Sequence, residues 1–281
     1  MPDKFTFHSH NTFCDGKNTP EEMVIAAIEK GLTHFGFSSH APVPFENTFA
    51  VKQEQLQTYL DECRRLKEKY KNKIKLAIGL EYDYITDLIE DINQRAAAAN
   101  LDYFIGCVHL VKLKGDNRMW FIDGGKQETY DNELQTIFGG DIRKAVGAFF
   151  SQTNAMISKC RPNIIGHLDK IKMHNHNRFF SEDERWYEDL MMSTLELISK
   201  TGGIIIEVNC RGLYKHRCED LFPSRKWLQR IAQMRIPITI STDCHNVSEI
   251  DSLFCETREA VKTLGFSEVM IYDEGWKPCR I

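Results

Sequence analysis

The sequence predicts an α/β barrel, a parallel sheet curled on itself with helices outside. Two observations carry that expectation. Seven short apolar runs alternate with amphipathic stretches along the chain, the rhythm of strand–helix units. Each run also leads into a residue able to bind a metal, as expected where functional side chains gather at the C-terminal ends of barrel strands.

The runs are residues 4–7, 34–38, 75–80, 103–108, 163–165, 203–208 and 237–241. They are rich in Ile, Val, Phe and Leu and bounded by Gly, Pro or polar residues, as strands buried on both faces tend to be. After the first run, Thr19-Pro20-Glu21-Glu22 opens a helix that Gly31 ends. Helical patterns follow at 53–70, 86–100, 142–159, 181–200, 224–234 and 247–264. The pattern at 181–200 opens on Ser-Glu-Asp-Glu, a capping-box sequence, and stops before Gly202-Gly203. Residues 112–141 break the rhythm. They are polar and Gly-rich, with Trp120, Phe121 and Gly124-Gly125, and read as an elaborated loop after the fourth strand. With no Ser/Gly-rich linker and no internal repeat, residues 1–281 read as one domain.

Composition narrows the function classes. The chain is 42% hydrophobic and 27% charged, enough to bury a sizeable core. A formal net charge of −4, without a basic stripe, argues against a nucleic-acid partner, yet it leaves room for a small anionic substrate in a locally positive pocket. No run approaches the ~18 apolar residues of a membrane span. The first residues lack the apolar core of a signal peptide. Nine cysteines, scattered and without a C-x-x-C pair, predict a reducing, cytoplasmic setting in which the thiols serve as small apolar fillers.

The strand ends present His8, His10 and then Asp15; His40; Glu81; His109; His167; Glu207 with Asn209; and Asp243 with His245. A single histidine beside a strand is usually a hydrogen-bonded structural residue. That reading fails for a whole set at one barrel face, because buried ionisable groups are costly unless paired or metal-bound. In His8-x-His10 the period of two points both rings the same way, and Asp243-x-His245 repeats the geometry. Glu81 can bridge two ions through its two oxygens. Nine ligands, namely His8, His10, Asp15, His40, Glu81, His109, His167, Asp243 and His245, exceed the coordination of one ion. They predict two or three divalent ions, an arrangement suited to phosphoryl transfer. Imidazole and carboxylate without thiolate suit Zn, Fe or Mn. Cys14, Cys107 and Cys244 stand close to ligands and are expected to turn away and pack.

The motifs His8-Ser-His10, Asp15-Gly16, Ser39-His40-Ala41-Pro42, Gly79-Leu80-Glu81, Gly106-Cys-Val-His109, Gly166-His167-Leu-Asp169 and Ser241-Thr-Asp243-Cys-His245 resemble the PHP (polymerase and histidinol phosphatase) family. The resemblance spans positions 8 to 245 and implies a distorted barrel of seven strands and seven helices with a trinuclear site. It implies one ion on His8, His10, Glu81 and Asp243, a second on Glu81, His109 and His167, and a third on Asp15, His40 and His245. Within the family, the long segment between His109 and His167, the His40-Ala41-Pro42 turn, and Glu207-Val-Asn209 with Gly212-Leu213 and Phe222-Pro223-Ser224 are similar to the histidinol-phosphate phosphatases. The implied activity is hydrolysis of L-histidinol phosphate to L-histidinol and phosphate, in histidine biosynthesis, by attack of a metal-bridging hydroxide. Asp15, His40, Glu81, Asp243 and His245 are the ligands expected to take part in that chemistry.

Candidate phosphate-binding cations are Arg211, Lys215 and Arg225, all after the sixth strand; Arg211 and Tyr214 depart from the subfamily's pattern, in which the basic residue lies nearer position 214. Asn209 is expected either to touch substrate or to orient a ligand. Asp169 is expected either to hydrogen-bond a ligand histidine or to pair with Lys172. His174-x-His176, in polar, Asn-rich surroundings, reads as loop rather than as a metal pair. Trp120 and Phe121 either lid the site or pack the long segment down. Four other readings compete. An amidohydrolase would place a bridging lysine at a strand terminus, where none stands. A nuclease or proofreading module would carry more positive charge. A phosphotyrosine phosphatase would need a site open to a polypeptide, and a non-catalytic metal scaffold a blocked pocket.

Overall fold

A computed structural model describes residues 3–281. In chain order its strands are β1 (Phe5–Thr6), β2 (His34–Phe37), β3 (Lys75–Asp83), β4 (Tyr103–Cys107), β5 (Leu110–Val111) and β6 (Trp120–Phe121). They continue with β7 (Ile164–Ile165), β8 (Ile205–Asn209), β9 (Ile238–Ser241), β10 (Glu268–Tyr272) and β11 (Trp276–Arg280). The helices are α1 (Pro20–Glu29), α2 (Leu56–Tyr70), α3 (Ile92–Ala99), α4 (Gln127–Phe138), α5 (Ile142–Cys160), α6 (Arg185–Thr201), α7 (Arg211–Tyr214), α8 (Arg225–Gln233) and α9 (Phe254–Thr263).

All seven expected strands form, and they lie in one parallel sheet in the order β1-β2-β3-β4-β7-β8-β9. The sheet curls until its two edges meet. At that seam Ser9 pairs with Cys244 in a parallel bridge, and the His10 N–H donates to the Cys244 carbonyl at 2.8 Å. The result is a nearly closed barrel. No helix among the described residues is long and apolar enough to cross a membrane.

One aromatic side chain fixes the inside of the barrel. The Tyr103 hydroxyl faces the carbonyls of Phe7 at 2.6 Å and Phe37 at 2.9 Å, tying β4 to the first two strands across the interior. A Cβ at position 36 would stand 2.3 Å from that hydroxyl, so only glycine leaves room for it there. The C-terminal hairpin of β10 and β11 was not foreseen. It lays Trp276 against Phe7 at 5.2 Å and Tyr103 at 5.8 Å. Lys75, the first residue of β3, faces Asp273 in the hairpin turn at 3.7 Å, which puts the hairpin at the N-terminal end of the barrel, opposite the ligands.

Several helices differ from expectation. The Thr19 capping box forms as predicted. The pattern at 86–100 becomes helix only from Ile92, because Asp87 takes a left-handed φ of 62° and residues 85–89 turn on themselves. Leu253, at φ 53°, cuts the 247–264 pattern into a 3-10 turn and α9. The segment 112–141 is no simple loop: β6 pairs with β5, and α4 buries Tyr130, Leu134, Ile137 and Phe138 along one face. Trp120 is fully buried beneath this segment, its indole N–H donating to the Tyr130 carbonyl at 3.0 Å, so it packs rather than lids.

Replacing Tyr103 by Phe removes a hydroxyl that faces two buried carbonyls. It is expected to cost about 1–3 kcal/mol of stability, read from urea unfolding.

Candidate metal centre

The pleat explains how the ligands converge. Side chains two apart on a strand share a face, so the inward face of β3 continues from Glu81 to Asp83, and that of β4 from Cys107 to His109. At the C-terminal mouth the structure brings all nine expected ligands together. Glu81 stands in the middle, 1% exposed. Its Oε1 faces His8 Nε2 at 3.3 Å, His167 Nε2 at 3.0 Å and His109 Nε2 at 3.5 Å. Its Oε2 faces His40 Nδ1 at 2.8 Å and His10 Nε2 at 3.6 Å. Asp243 Oδ1 lies 3.3 Å from His10 Nε2 and 3.7 Å from His8 Nε2. At the more open edge, Asp15 Oδ1 lies 3.4 Å from His245 Nε2 and 3.9 Å from His40 Nε2.

These atoms fall into three groups of ion-binding size: His8, His10 and Asp243; Glu81, Cys107, His109 and His167; and His10, Asp15, His40 and His245. Their fit to cations is visible in what they lack. The buried atoms His8 Nε2, His10 Nε2, Asp15 Oδ1, His40 Nδ1 and Glu81 Oε2 have no hydrogen-bond partner among the described residues. His40 Nδ1 and Glu81 Oε2 are only 2.8 Å apart, yet they are misaligned for a hydrogen bond and face common space instead. Unpartnered buried groups are expensive, and a shared divalent cation is the chemistry that satisfies lone pairs so arranged.

A second layer of carboxylates aims the rings. Glu207 Oε1 holds His8 Nδ1 at 2.6 Å, while its Oε2 accepts the His167 backbone N–H at 2.8 Å. Asp83 Oδ1 holds His109 Nδ1 at 2.9 Å and accepts the His109 backbone N–H at 2.8 Å. Each contact leaves Nε2 facing the centre. Asn209 is fully buried and donates to Glu207 Oε2 at 3.1 Å and Asp243 Oδ2 at 3.0 Å. It steadies two of the carboxylates at the mouth and does not line the cavity, which favours the orienting role over contact with substrate.

The charges follow from this packing in the metal-free protein. Burial works against a charge on Glu81, but His8, His40 and His109 hold its carboxyl well below the usual range. Asp243 is depressed likewise: burial opposes its charge, and His8, His10 and Arg211 overcome that. Burial together with His245 and His40 pushes His10 well down, and burial with Lys170 lowers His167, so both rings are neutral. Burial also disfavours charge on His109, yet Asp83, Asp123 and Glu81 raise it to about 9.

A cavity of about 540 Å³ opens over the centre, lined by Asp15, His40, Glu81, His109, Asp243 and His245 together with Phe49, Phe121, Asp123 and several cations. Arg211 and Lys215 are among these, as expected, although both also pair with Glu249, at 3.2 and 2.9 Å. Arg225 is not: it is half exposed and paired with Asp220 at the start of α8, which removes it from the phosphate-binding candidates. Sequence reasoning missed Lys170, Arg217 and Asp123. Lys170 is 8% exposed and paired with Asp123 at 2.8 Å. Its position three residues after His167, in the same strand-end segment, was the available signal.

The remaining candidates resolve individually. Asp169 pairs with Lys172 at 2.7 Å and accepts the Ser224 N–H at 3.0 Å, so it serves the salt bridge rather than a ligand histidine. His174 bonds the Gly124 carbonyl at 2.7 Å, a loop contact as expected. Cys244 packs beneath the seam, its Sγ 4.0 Å from the His8 carbonyl, while Cys14 Sγ lies 3.6 Å from His10 Nδ1. Cys107 contradicts the expectation that it turns away. It lies two residues before His109 and therefore on the same face, with Sγ 2.9 Å from Glu81 Oε1.

Glu207→Gln weakens the hold on His8 and is expected to lower metal affinity by about 10–100-fold, measured by competition with a chelator. His109, charged below about 9 in the metal-free protein, must shed its proton before an ion can bind. Shedding this proton therefore contributes a rise in apparent metal affinity as pH approaches about that value. Asp83→Asn removes the charge that raises His109, so the same rise is expected to finish at lower pH.

Comparison with known proteins identifies the family. The family model described as PHP domain matches residues 6–211. A Schizosaccharomyces pombe protein named "Probable histidinol-phosphatase" is 25% identical, over 95% of this chain and 89% of its own length. The histidinol-phosphatase of Bacillus subtilis is 25% identical, over 86% of this chain and 94% of its own. The crystal structure of Lactococcus lactis histidinol phosphate phosphatase, complexed with zinc, L-histidinol and phosphate, superposes with a TM-score of 0.71 at 21% identity, covering 98% of this chain and 99% of that one. With most of its barrel matched by the family model, from the first strand to Arg211, the chain belongs to the PHP domain family.

Proposed function

We propose that this chain is a metal-dependent phosphomonoesterase that hydrolyses L-histidinol phosphate to L-histidinol and phosphate, the reaction expected in histidine biosynthesis. The observation that carries the reading is the set of buried ligand atoms turned towards common space beneath a cavity edged with cations. The names of the full-length relatives supply the substrate. Zinc in the Lactococcus lactis relative makes zinc the first candidate among Zn, Fe and Mn for two or three ions on the nine ligands.

When bound, such ions supply Lewis acidity towards phosphoryl oxygens and lower the pKa of the attacking water. The chain's own residues do the rest. Glu81 lies between the ligand groups and sets their spacing. Lys170, Arg211, Lys215 and Arg217 face the cavity and neutralise phosphoryl charge, Lys170 with the greatest effect because it is the most buried. Burial opposes charge on Lys170, but Asp123, Asp243 and Glu81 hold its ammonium firmly protonated. Asp123 and Glu249 add negative charge to the cavity lining, suited to the cationic amine of the substrate.

The direct test is phosphate release by metal-loaded protein from L-histidinol phosphate, an aryl phosphate and a short single-stranded DNA. A preference for histidinol phosphate of about 100-fold in kcat/KM, roughly 2.7 kcal/mol, is the expected result. Equal turnover of the aryl phosphate would keep the phosphatase and remove the substrate. Lys170→Ala is expected to lower kcat/KM by about 100-fold, whereas Arg225→Ala leaves it unchanged.

A further inference from the structure

Cys107 ends β4 with its side chain inside the barrel, 1% exposed. Its Sγ is 2.9 Å from Glu81 Oε1, the same oxygen that faces His167 Nε2 at 3.0 Å and His109 Nε2 at 3.5 Å. Donor atoms of Glu81, Cys107, His109 and His167 all lie within 4.8 Å of one another. The thiol's seat is shaped by the neighbouring strand end: a Cβ at position 166 would stand 2.5 Å from Sγ, so Gly166 leaves the space that the sulfur fills.

A thiol so placed has two fates. It can remain a hydrogen-bond donor to Glu81, or it can join Glu81 on the same ion. Once Oε1 is committed to a cation it becomes a poor acceptor, and a protonated thiol would be left buried beside that cation without a partner. Coordination removes the conflict, because a ligating thiol is deprotonated outright. The sulfur lone pair forms the bond, the proton leaves to solvent, and no electron is transferred.

We propose that Cys107 is a fourth protein ligand of the ion held by Glu81, His109 and His167, giving that one position a sulfur donor and a preference for zinc over manganese. The preference follows from donor softness: thiolate suits zinc, whereas manganese favours oxygen. The proposal rests on the metal-centre reading above, and the test separates the two.

Metal-free protein is titrated with cobalt(II) while the visible ligand-field bands and the near-ultraviolet sulfur-to-cobalt charge-transfer band are recorded. Wild type, Cys107→Ser, Cys107→Ala and the control Cys244→Ala are compared. The expected result is a charge-transfer band in wild type and Cys244→Ala that is missing from both Cys107 variants, although these still show ligand-field bands. Zinc-over-manganese selectivity in Cys107→Ser is expected to fall about tenfold. Serine keeps a hydrogen bond to Glu81, so this variant carries the test if the alanine protein fails to fold. Cobalt bound by wild type without a Cys107-dependent band overturns the proposal and leaves the metal centre standing. No cobalt binding at all overturns both.

Discussion

A carboxylate buried among imidazoles organises this molecule. Glu81 takes five histidine rings within 3.6 Å of its two oxygens, and the rings come from four strand ends around the mouth of the barrel. Neither partner is stable there alone. A lone carboxylate at this depth would be driven to take up a proton, and without it the rings would lose one of the charges that favour their protonation. Together they form a polar interior whose unpartnered lone pairs a divalent cation would satisfy. The geometry of the mouth is therefore the geometry of what Glu81 can hold.

The surrounding layers serve that arrangement. Glu207 binds His8 through one oxygen and the His167 backbone through the other, so a single side chain sets two ligands on separate strands. Asn209 couples Glu207 to Asp243. Asp83 does for His109 what Glu207 does for His8. Deeper in the barrel, Tyr103 joins three strands by one hydroxyl. The ligands thus sit on a scaffold whose polar contacts are as specific as their own, which is how rings stay aimed without the ion.

Much of this was legible in the sequence. The seven strands could be read because each is a short apolar run, and the nine residues that meet at the mouth because they recur where those runs end. The layer behind them was harder, although parity held the information. Asp83 follows Glu81 by two and Cys107 precedes His109 by two, so both belong to the inward face; treating Cys107 as a neighbour that alternates away overlooked the count. Lys170 and Asp123 were hidden for another reason. They meet across two segments far apart in sequence, and only the fold pairs them. The helix α4 was masked by polar residues, though its buried positions 130, 134, 137 and 138 follow helical spacing. Arg225 misled because a charge near a motif says nothing of its direction, and Asp220 claims it locally.

The seam of the barrel has one more implication. Between β1 and β9 the described residues offer the bridge of Ser9 with Cys244 and a few polar contacts, where other neighbours share ladders. His8 and His10 stand on one side of that join, and Asp243 and His245 on the other. A cation gripped by His8, His10 and Asp243 would therefore act as a clasp, fastening the first strand of the barrel to its last across more than two hundred residues of intervening chain. Closing so long a loop is where a cross-link has the most entropy to remove, so the centre that serves chemistry would also decide whether the cylinder stays shut.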